Sequence, residues 1–230
     1  MSMFYLGIVP ARGGSKRIPR KNLSLLGGRP LLDYTAEASR QSRRLGNTVI
    51  STDSPEIAQF ANTRGLMDFG LRPAALAQDH SPPGEAIADA LGKFASTGVT
   101  VDAIVLLQPT SPFRSARHID EAIGRFEASG ADTLVSVIRA HDHPYWVWRE
   151  TEECLQPYFS MREIAVGRQD LPPAVVENGA IYIVRSSLAV SGKIYGEKIV
   201  PYLMDDFSSI DIDTPEDLLW AEFQLERHGP

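Results

Sequence analysis

Short apolar runs of strand length recur along this chain, and several are followed by a segment of helical period. That alternation restricts the fold more than any other feature. "FYLGIV" (Phe4 to Val9) is the first run, continuous in the way of strands buried on both faces. "PLLDYTAEASRQS" then brings Leu31, Tyr34 and Ala38, with Leu32 and Thr35, near one helical face. "NTVIST" is a second strand candidate. "DSPEIAQFANTRG" follows it, with Ser54 as N-cap, Pro55 at the first helical position and a stop at Gly65.

The rhythm continues. "PPGEAIADALGKFA" reads as helix, "DAIVLLQ" as buried strand, and "SARHIDEAIGRFEASG" as a helix capped by Ser115 and ended by Gly130. "DTLVSV", "GAIYIV", "KIVPYLM" and "SIDID" supply further strand candidates before a last helix from Pro215, capped by Thr214. Strands alternating with helices predict an α/β domain. We expect a single unit over residues 1–230, interrupted by an excursion at about 140–172. That stretch carries Trp146 and Trp148 in alternation and no clear helix. Its aromatic residues have two readings, a small satellite core or contact with a second subunit, because a lone hairpin is only marginally stable in water.

Charge narrows the partners. With 29 acids against 23 cations the formal net charge is -6, which disfavours nucleic acid and anionic membranes. Cys154 is the only cysteine, so an internal disulfide and a Cys-based zinc site are excluded. His141 and His143 lack the spacing of a zinc helix, and no G-x-S-x-G elbow is present. The apolar run at the N-terminus is shorter than a signal-peptide core or a membrane span, and the expectation is a soluble cytoplasmic protein.

Against that acidic background, "IVPARGGSKRIPRKN" gathers Arg12, Lys16, Arg17, Arg20 and Lys21 without an acid. Gly13 and Gly14 let its backbone bend and approach a ligand. The stretch follows a buried strand, where open α/β sheets bind ligands, and its amides and cations suit a polyphosphate. It is neither a Walker A loop nor a GxGxxG turn. In "SSIDIDTPEDL" a strand would project Asp211 and Asp213 together while Ile210 and Ile212 face the core. Two adjacent carboxylates repel unless a cation joins them, and Mg2+ suits such a pair beside a triphosphate. The other reading makes Asp213 part of the turn into the Thr214-capped helix. In "LLQPTSPFRS", Thr110 and Ser111 suit an ordered turn before Ser115, whereas the Gln108 amide can read a ligand's hydrogen-bonding groups.

Taken in order, "IVPARGGSKRIPRKN", "VISTDS", "LRPAALAQD", "LLQPTSPFRS", "GRQDLP", "NGAIYI" and "SIDIDTPEDL" resemble the acylneuraminate (sialic acid and related nonulosonate) cytidylyltransferase family across nearly the whole chain. The resemblance implies a Rossmann-like, three-layer nucleotide-diphospho-sugar transferase fold of GT-A type with a strand-rich inserted arm. It implies a magnesium- or manganese-dependent homodimer whose arm reaches the partner's active site. It also implies that CTP and a nonulosonic acid give the CMP-sugar and pyrophosphate.

Arg12, Lys16 and Lys21 then correspond to triphosphate-binding cations, with Gly13, Gly14 and Ser15 in the same nucleotide loop. Asn22 and Arg72 match positions near the nucleoside, and Asp211 and Asp213 match metal-associated aspartates. Gln108, Arg168 and Tyr182 match contacts to the sugar acid, with Arg168 expected at its carboxylate. Lys21 and Asp211 are the catalytic candidates, Asp211 as the base for the attacking hydroxyl.

Three departures from the family pattern stand out. Arg17 replaces a frequent glycine, Pro83 occupies a place that can hold a nucleotide-contacting serine, and Trp146 stands where some sialic acid enzymes have lysine. The "HPYW" form resembles relatives acting on bacterial analogues such as legionaminic acid. The alternatives are a cytidylyltransferase for the eight-carbon acid Kdo and a non-catalytic nucleotide- or sugar-binding dimer module.

Overall fold

In the computed structural model, which describes residues 3–78 and 80–229, the apolar runs become one mixed sheet. In chain order the first half holds β1 (Tyr5–Pro10), β2 (Leu25–Leu26), β3 (Arg29–Pro30), α1 (Leu31–Gln41), β4 (Thr48–Ser51), α2 (Pro55–Thr63), α3 (Pro83–Phe94) and β5 (Ala103–Leu106). Next come α4 (Ala116–Ser129), β6 (Thr133–Arg139), β7 (Trp148–Glu150), β8 (Leu155–Pro157) and α5 (Met161–Ile164). The chain then forms β9 (Val175–Arg185), α6 (Ser186–Ala189), β10 (Ile199–Leu203) and α7 (Pro215–His228).

The six-stranded sheet runs β4-β1-β5-β9-β6-β10. β1 is parallel to β4 and β5, and β10 is parallel to β6, whereas β9 is antiparallel to both of its neighbours. A continuous apolar run says that both faces are covered but not which way the strand points, so the direction of β9 was not readable beforehand. One core layer joins Leu32 and Ala36 of α1, Ile57 of α2 and Ile123 and Phe126 of α4 to Val9 and Val105. The other joins Ile87, Leu91 and Phe94 of α3 and Ala189 of α6 to Ile8, Ile104 and Leu106. Each such fully buried Ile, Leu or Phe contributes about 1.5–3 kcal/mol. Helices on both faces of the sheet make the three-layer, Rossmann-like arrangement expected.

The expected caps hold. Ser54 accepts from the Ile57 amide with Pro55 next to it, and Ser115 and Thr214 close capping boxes on α4 and α7. Gly130 ends α4 in the left-handed region. Two differences concern short elements. Gly27 and Gly28 form the positive-φ turn of a two-residue hairpin between β2 and β3, too brief to show a period. The 140–172 stretch contains the β7–β8 hairpin and, against expectation, the one-turn α5, capped by Ser160; four residues cannot display helical spacing.

This arm is sparsely covered. Val147, Trp148, Leu155, Tyr158, Phe159 and Met161 are exposed, while His143, Tyr145, Trp146 and Phe159 gather in ring contact at its base, so the arm carries a small aromatic cluster and an uncovered apolar face together. At its base His143 is buried, donating from Nε2 to the Pro172 carbonyl and accepting the Tyr145 amide at Nδ1. Cys154 sits exposed at the hairpin turn.

Candidate active site

β1, β4 and β5 end at the same edge of the sheet, and the antiparallel β9 begins there. Loops leaving these ends enclose a cleft of ≈ 240 Å³ lined by Arg12, Lys21, Asn22, Arg72, Gln108 and Thr110, among others. Five predicted site residues, from three separate segments, therefore converge. Asn22 is buried and donates from Nδ2 to the Arg12 carbonyl, which folds the basic loop back on itself. Pro83 and Ser81 line the opposite wall, where the Ser81 hydroxyl donates to the Ala75 carbonyl and accepts the Gln78 amide. Asp79, which ends the "LRPAALAQD" motif, lies outside the described residues.

A small third core decides where the basic loop and the acidic segment meet. Ile18, the apolar residue among the cations, is buried with Leu26, Leu31, Ile212 and Ala221. Ile212 lies between Asp211 and Asp213, so one apolar cluster anchors both polar segments. The 210–213 stretch is not a strand as expected. It is an extended connection into α7, held by the Ile212 amide on the Thr110 carbonyl at 2.9 Å. The alternation nevertheless survives, with Ile212 fully buried and Asp211 and Asp213 on the outer side.

The charges interlock. Lys21 donates from Nζ to Asp213 Oδ1 at 2.8 Å and to the Ile212 carbonyl at 3.1 Å. Beside the cleft, the surrounding protein partly desolvates the Asp211 carboxyl and raises its pKa although the side chain keeps an exposed edge, and the Asp213 charge adds to the rise; a Thr110 hydrogen bond and Lys21 oppose it. Two neighbouring carboxylates, one of them destabilised in its charged form, are a donor set that a hard divalent cation would relieve. Among the described residues no group of three or more His, Cys, Asp or Glu side chains suits a metal, so further oxygen ligands would have to come from substrate or water.

On the other side of the cleft, β9 bulges against β6 between Glu177 and Tyr182. Asn178 shapes the bulge by accepting at Oδ1 from the Ser136 hydroxyl at 2.6 Å and donating from Nδ2 to the Ser209 hydroxyl at 2.8 Å. Gly179, at φ +73°, brings the backbone between Gln108 and Asp211; an added Cβ would lie 3.9 Å from Gln108 Nε2 and Asp211 Oδ2. Arg114 is fully buried and binds this edge together. Its guanidinium donates to the carbonyls of Gln108 and Ala180 and to the Thr35 hydroxyl. Burial pushes its pKa down to about 9, so it keeps its charge at neutral pH.

Not every predicted residue joins the cleft. Tyr182 is buried in the β9 wall, where burial and the Glu177 charge raise its pKa, and its hydroxyl donates to Glu177 at 3.0 Å. Tyr195 donates to the same carboxylate at 2.9 Å. Arg168 lies exposed in the arm and is not among the residues lining its own chain's cleft. Gly13 is half-buried, but its amide donates to Asp53 at 2.8 Å. Gly14 and Lys16 are exposed and Ser15 is half-buried, all three outside the cleft lining. Of the two cations without an expected role, Arg20 pairs with Glu56 on the surface and Arg17 is exposed. The sequence assigned no role to Ile18, Asp53, Glu177 or Asn178, and Arg114 stood in it only as a member of the polar loop after β5. Their sequence signals (one apolar residue among cations, polar residues at strand ends) are common and carry meaning only through distant partners.

The sequence profile of the family described as "Cytidylyltransferase" matches residues 6–216. The chain belongs to the cytidylyltransferase family. This cytidylyltransferase is similar to the CMP-N,N'-diacetyllegionaminic acid synthase of Legionella pneumophila, at 38% identity over 97% of each protein. It is 33% identical to the N-acylneuraminate cytidylyltransferase of Escherichia coli and 32% identical to the N-acylneuraminate cytidylyltransferase A of Danio rerio, over 90% and 96% of this chain. It spans about half the length of these two, 49% and 51% respectively. Among solved structures it is similar to CMP:2-keto-3-deoxy-manno-octonic acid synthetase complexed with CTP, with TM-score 0.71, 16% identity and coverage of 97% and 99% of the two chains. The 4-diphosphocytidyl-2C-methyl-D-erythritol synthase of Anaerococcus prevotii aligns with TM-score 0.67 at 13% identity, over 98% and 97%. At such identities these two likenesses bear on the fold, and they agree with the Rossmann-like nucleotidyltransferase arrangement.

Proposed function

We propose that this cytidylyltransferase joins CTP to a nonulosonic acid, of the sialic or legionaminic type, and releases pyrophosphate with the CMP-sugar. The observation that carries the reading is the convergence of Arg12, Lys21, Asn22 and Arg72 with Gln108 in one cleft beside Asp211. The curated relatives support the nine-carbon class, and the Legionella protein supports a bacterial analogue. The likeness to the octonic acid enzyme rests on fold alone, which leaves the Kdo alternative the less favoured one.

In this reading Arg12 and Lys21 bind the triphosphate and offset the charge that grows on the leaving pyrophosphate. Asn22 and Arg72 hold the nucleoside. Gln108 orients the sugar acid, and its anomeric hydroxyl attacks the α-phosphorus in line with the departing pyrophosphate. Asp211, beside the Gln108 side of the cleft, takes the hydroxyl proton. Asp211 and Asp213 would hold Mg2+ or Mn2+, which when bound offsets phosphate charge.

The arm completes the proposal. Its exposed apolar residues favour a homodimer in which Arg168 of each protomer faces the other's sugar site. Dependence on CTP favours a cytoplasmic setting. No helix among the described residues is long and apolar enough to cross a membrane.

The test is pyrophosphate release with CTP and Mg2+ across N-acetylneuraminic, legionaminic, pseudaminic and Kdo acids. Turnover is expected with a nine-carbon acid, and silence on the whole panel would refute the reading.

A further inference from the structure

The 52–54 turn does more than connect β4 to α2. β1 and β4 pair in parallel up to Pro10 opposite Ser51, and the Ala11 amide still reaches the Ser51 carbonyl. Beyond that point the basic loop leaves the sheet, and the Gly13 amide donates to Asp53 Oδ1 at 2.8 Å. The approach is close: a Cβ on Gly13 would stand 2.9 Å from Ser54 Cβ. Ser54 is itself immobilised, since it caps α2 and its amide donates to the Thr52 hydroxyl at 3.1 Å.

The same turn holds the other wall of the cleft. The Arg72 amide donates to the Thr52 carbonyl at 2.7 Å, and the buried Arg72 guanidinium, whose Nε has no hydrogen-bond partner, interacts electrostatically with Asp53. One half-buried carboxylate thus meets the first glycine of the basic loop, in a turn whose preceding residue, Thr52, holds the Arg72 backbone.

We infer that Asp53 is a positioning residue for the nucleotide: its carboxylate pins the Gly13 amide, and with it the basic loop, at the distance from Arg72 that CTP requires. An acid beside a triphosphate loop is unfavourable electrostatically, and the geometry explains its presence. The Gly13 amide has no backbone acceptor once β1 ends, and a loop amide left unpaired would let the cations splay. Asparagine at this position keeps the accepting oxygen without the charge; alanine keeps neither.

The inference rests on the cleft being the CTP site, so two independent readouts are needed. The first is hydrogen exchange of the Gly13 amide in the protein without nucleotide. It is expected to be protected in the wild type and in Asp53→Asn, and at least about tenfold faster in Asp53→Ala. The second is steady-state kinetics at saturating sugar acid. Asp53→Ala is expected to raise the KM for CTP about tenfold or more with the KM for the sugar acid little changed, and Asp53→Asn to recover most of that loss. Gly13→Ala, which drives the loop off Ser54, should raise the CTP KM in the same way should Asp53→Ala not fold.

Unchanged exchange at Gly13 in Asp53→Ala would overturn the inference whatever the substrate is. So would equal losses of kcat in Asp53→Ala and Asp53→Asn, which would assign the carboxylate to the chemistry. Slowed exchange on Asp53 pairing together with a wild type that binds no CTP would instead refute the functional reading and leave the loop contact standing.

Discussion

The Lys21 ammonium lies 2.8 Å from the Asp213 carboxylate, joining the basic loop to the acidic segment across 192 positions of sequence. Neither residue is therefore a free charge: the cation expected to meet phosphate also neutralises one member of the expected metal pair. Lys21→Ala removes both effects. Losing one charge-assisted contact of roughly 1.5–3 kcal/mol corresponds to about a tenfold to hundredfold rise in the KM for CTP. Initial rates with CTP varied at saturating sugar acid measure it, and an equal rise for the sugar acid would contradict the assignment.

Asp211 makes the pH dependence of stability specific. Its folded carboxyl binds a proton more tightly than the unfolded one, because desolvation raises its pKa, as does Asp213. Above both pKa values the folded state carries the cost of the charge; as pH falls through the raised value that cost is relieved. Asp211→Asn should therefore raise the thermal midpoint at neutral pH without divalent cations, and the gain should vanish in acid. Added Mg2+ should stabilise the wild type and not the variant. Calorimetry over a pH series, with and without Mg2+, reads both effects.

Gly179 lies against Gln108 and Asp211, the pair proposed to meet the sugar acid. Alanine has room there but must adopt φ +73°, at a cost of about 1 kcal/mol in the left-handed region. Gly179→Ala is expected to lower the denaturant midpoint modestly and to raise the KM for the sugar acid more than that for CTP. A pure stability loss with unaltered kinetics would separate Gly179 from the site.

The arm offers a test of assembly. Leu155 and Met161 are 62% and 63% exposed, which is costly for apolar side chains unless another surface covers them. The double variant Leu155→Glu and Met161→Glu should sediment as a monomer while the wild type sediments as a dimer. Sugar-acid turnover should fall with it, while CTP binding by calorimetry persists because Arg12, Asn22 and Arg72 belong to the same chain.

Much of this molecule follows from local rules. Ser54, Ser115 and Thr214 cap helices because a side-chain oxygen at that position answers an orphan amide, whatever lies elsewhere. The buried strands follow from runs such as "AIVL" that have no polar face to offer water. The basic character of the loop and the outward alternation of Asp211 and Asp213 are equally local, since they depend on composition and on a period of two.

What those residues do to one another needed the tertiary structure. The pairing of Lys21 with Asp213, the hold of Asp53 on Gly13 and the Arg114 clamp on Gln108 and Ala180 each join segments far apart in the chain. The antiparallel direction of β9, which sets Gly179 beside Gln108, comes from strand pairing rather than from any local preference. Sequence alone determined which groups exist and which segments they ride on. Only packing, through the small core of Ile18, Leu26 and Ile212, decided which charges meet, because hydrogen bonds and ion pairs act over a few ångströms while the sequence separating their partners carries no trace of that distance.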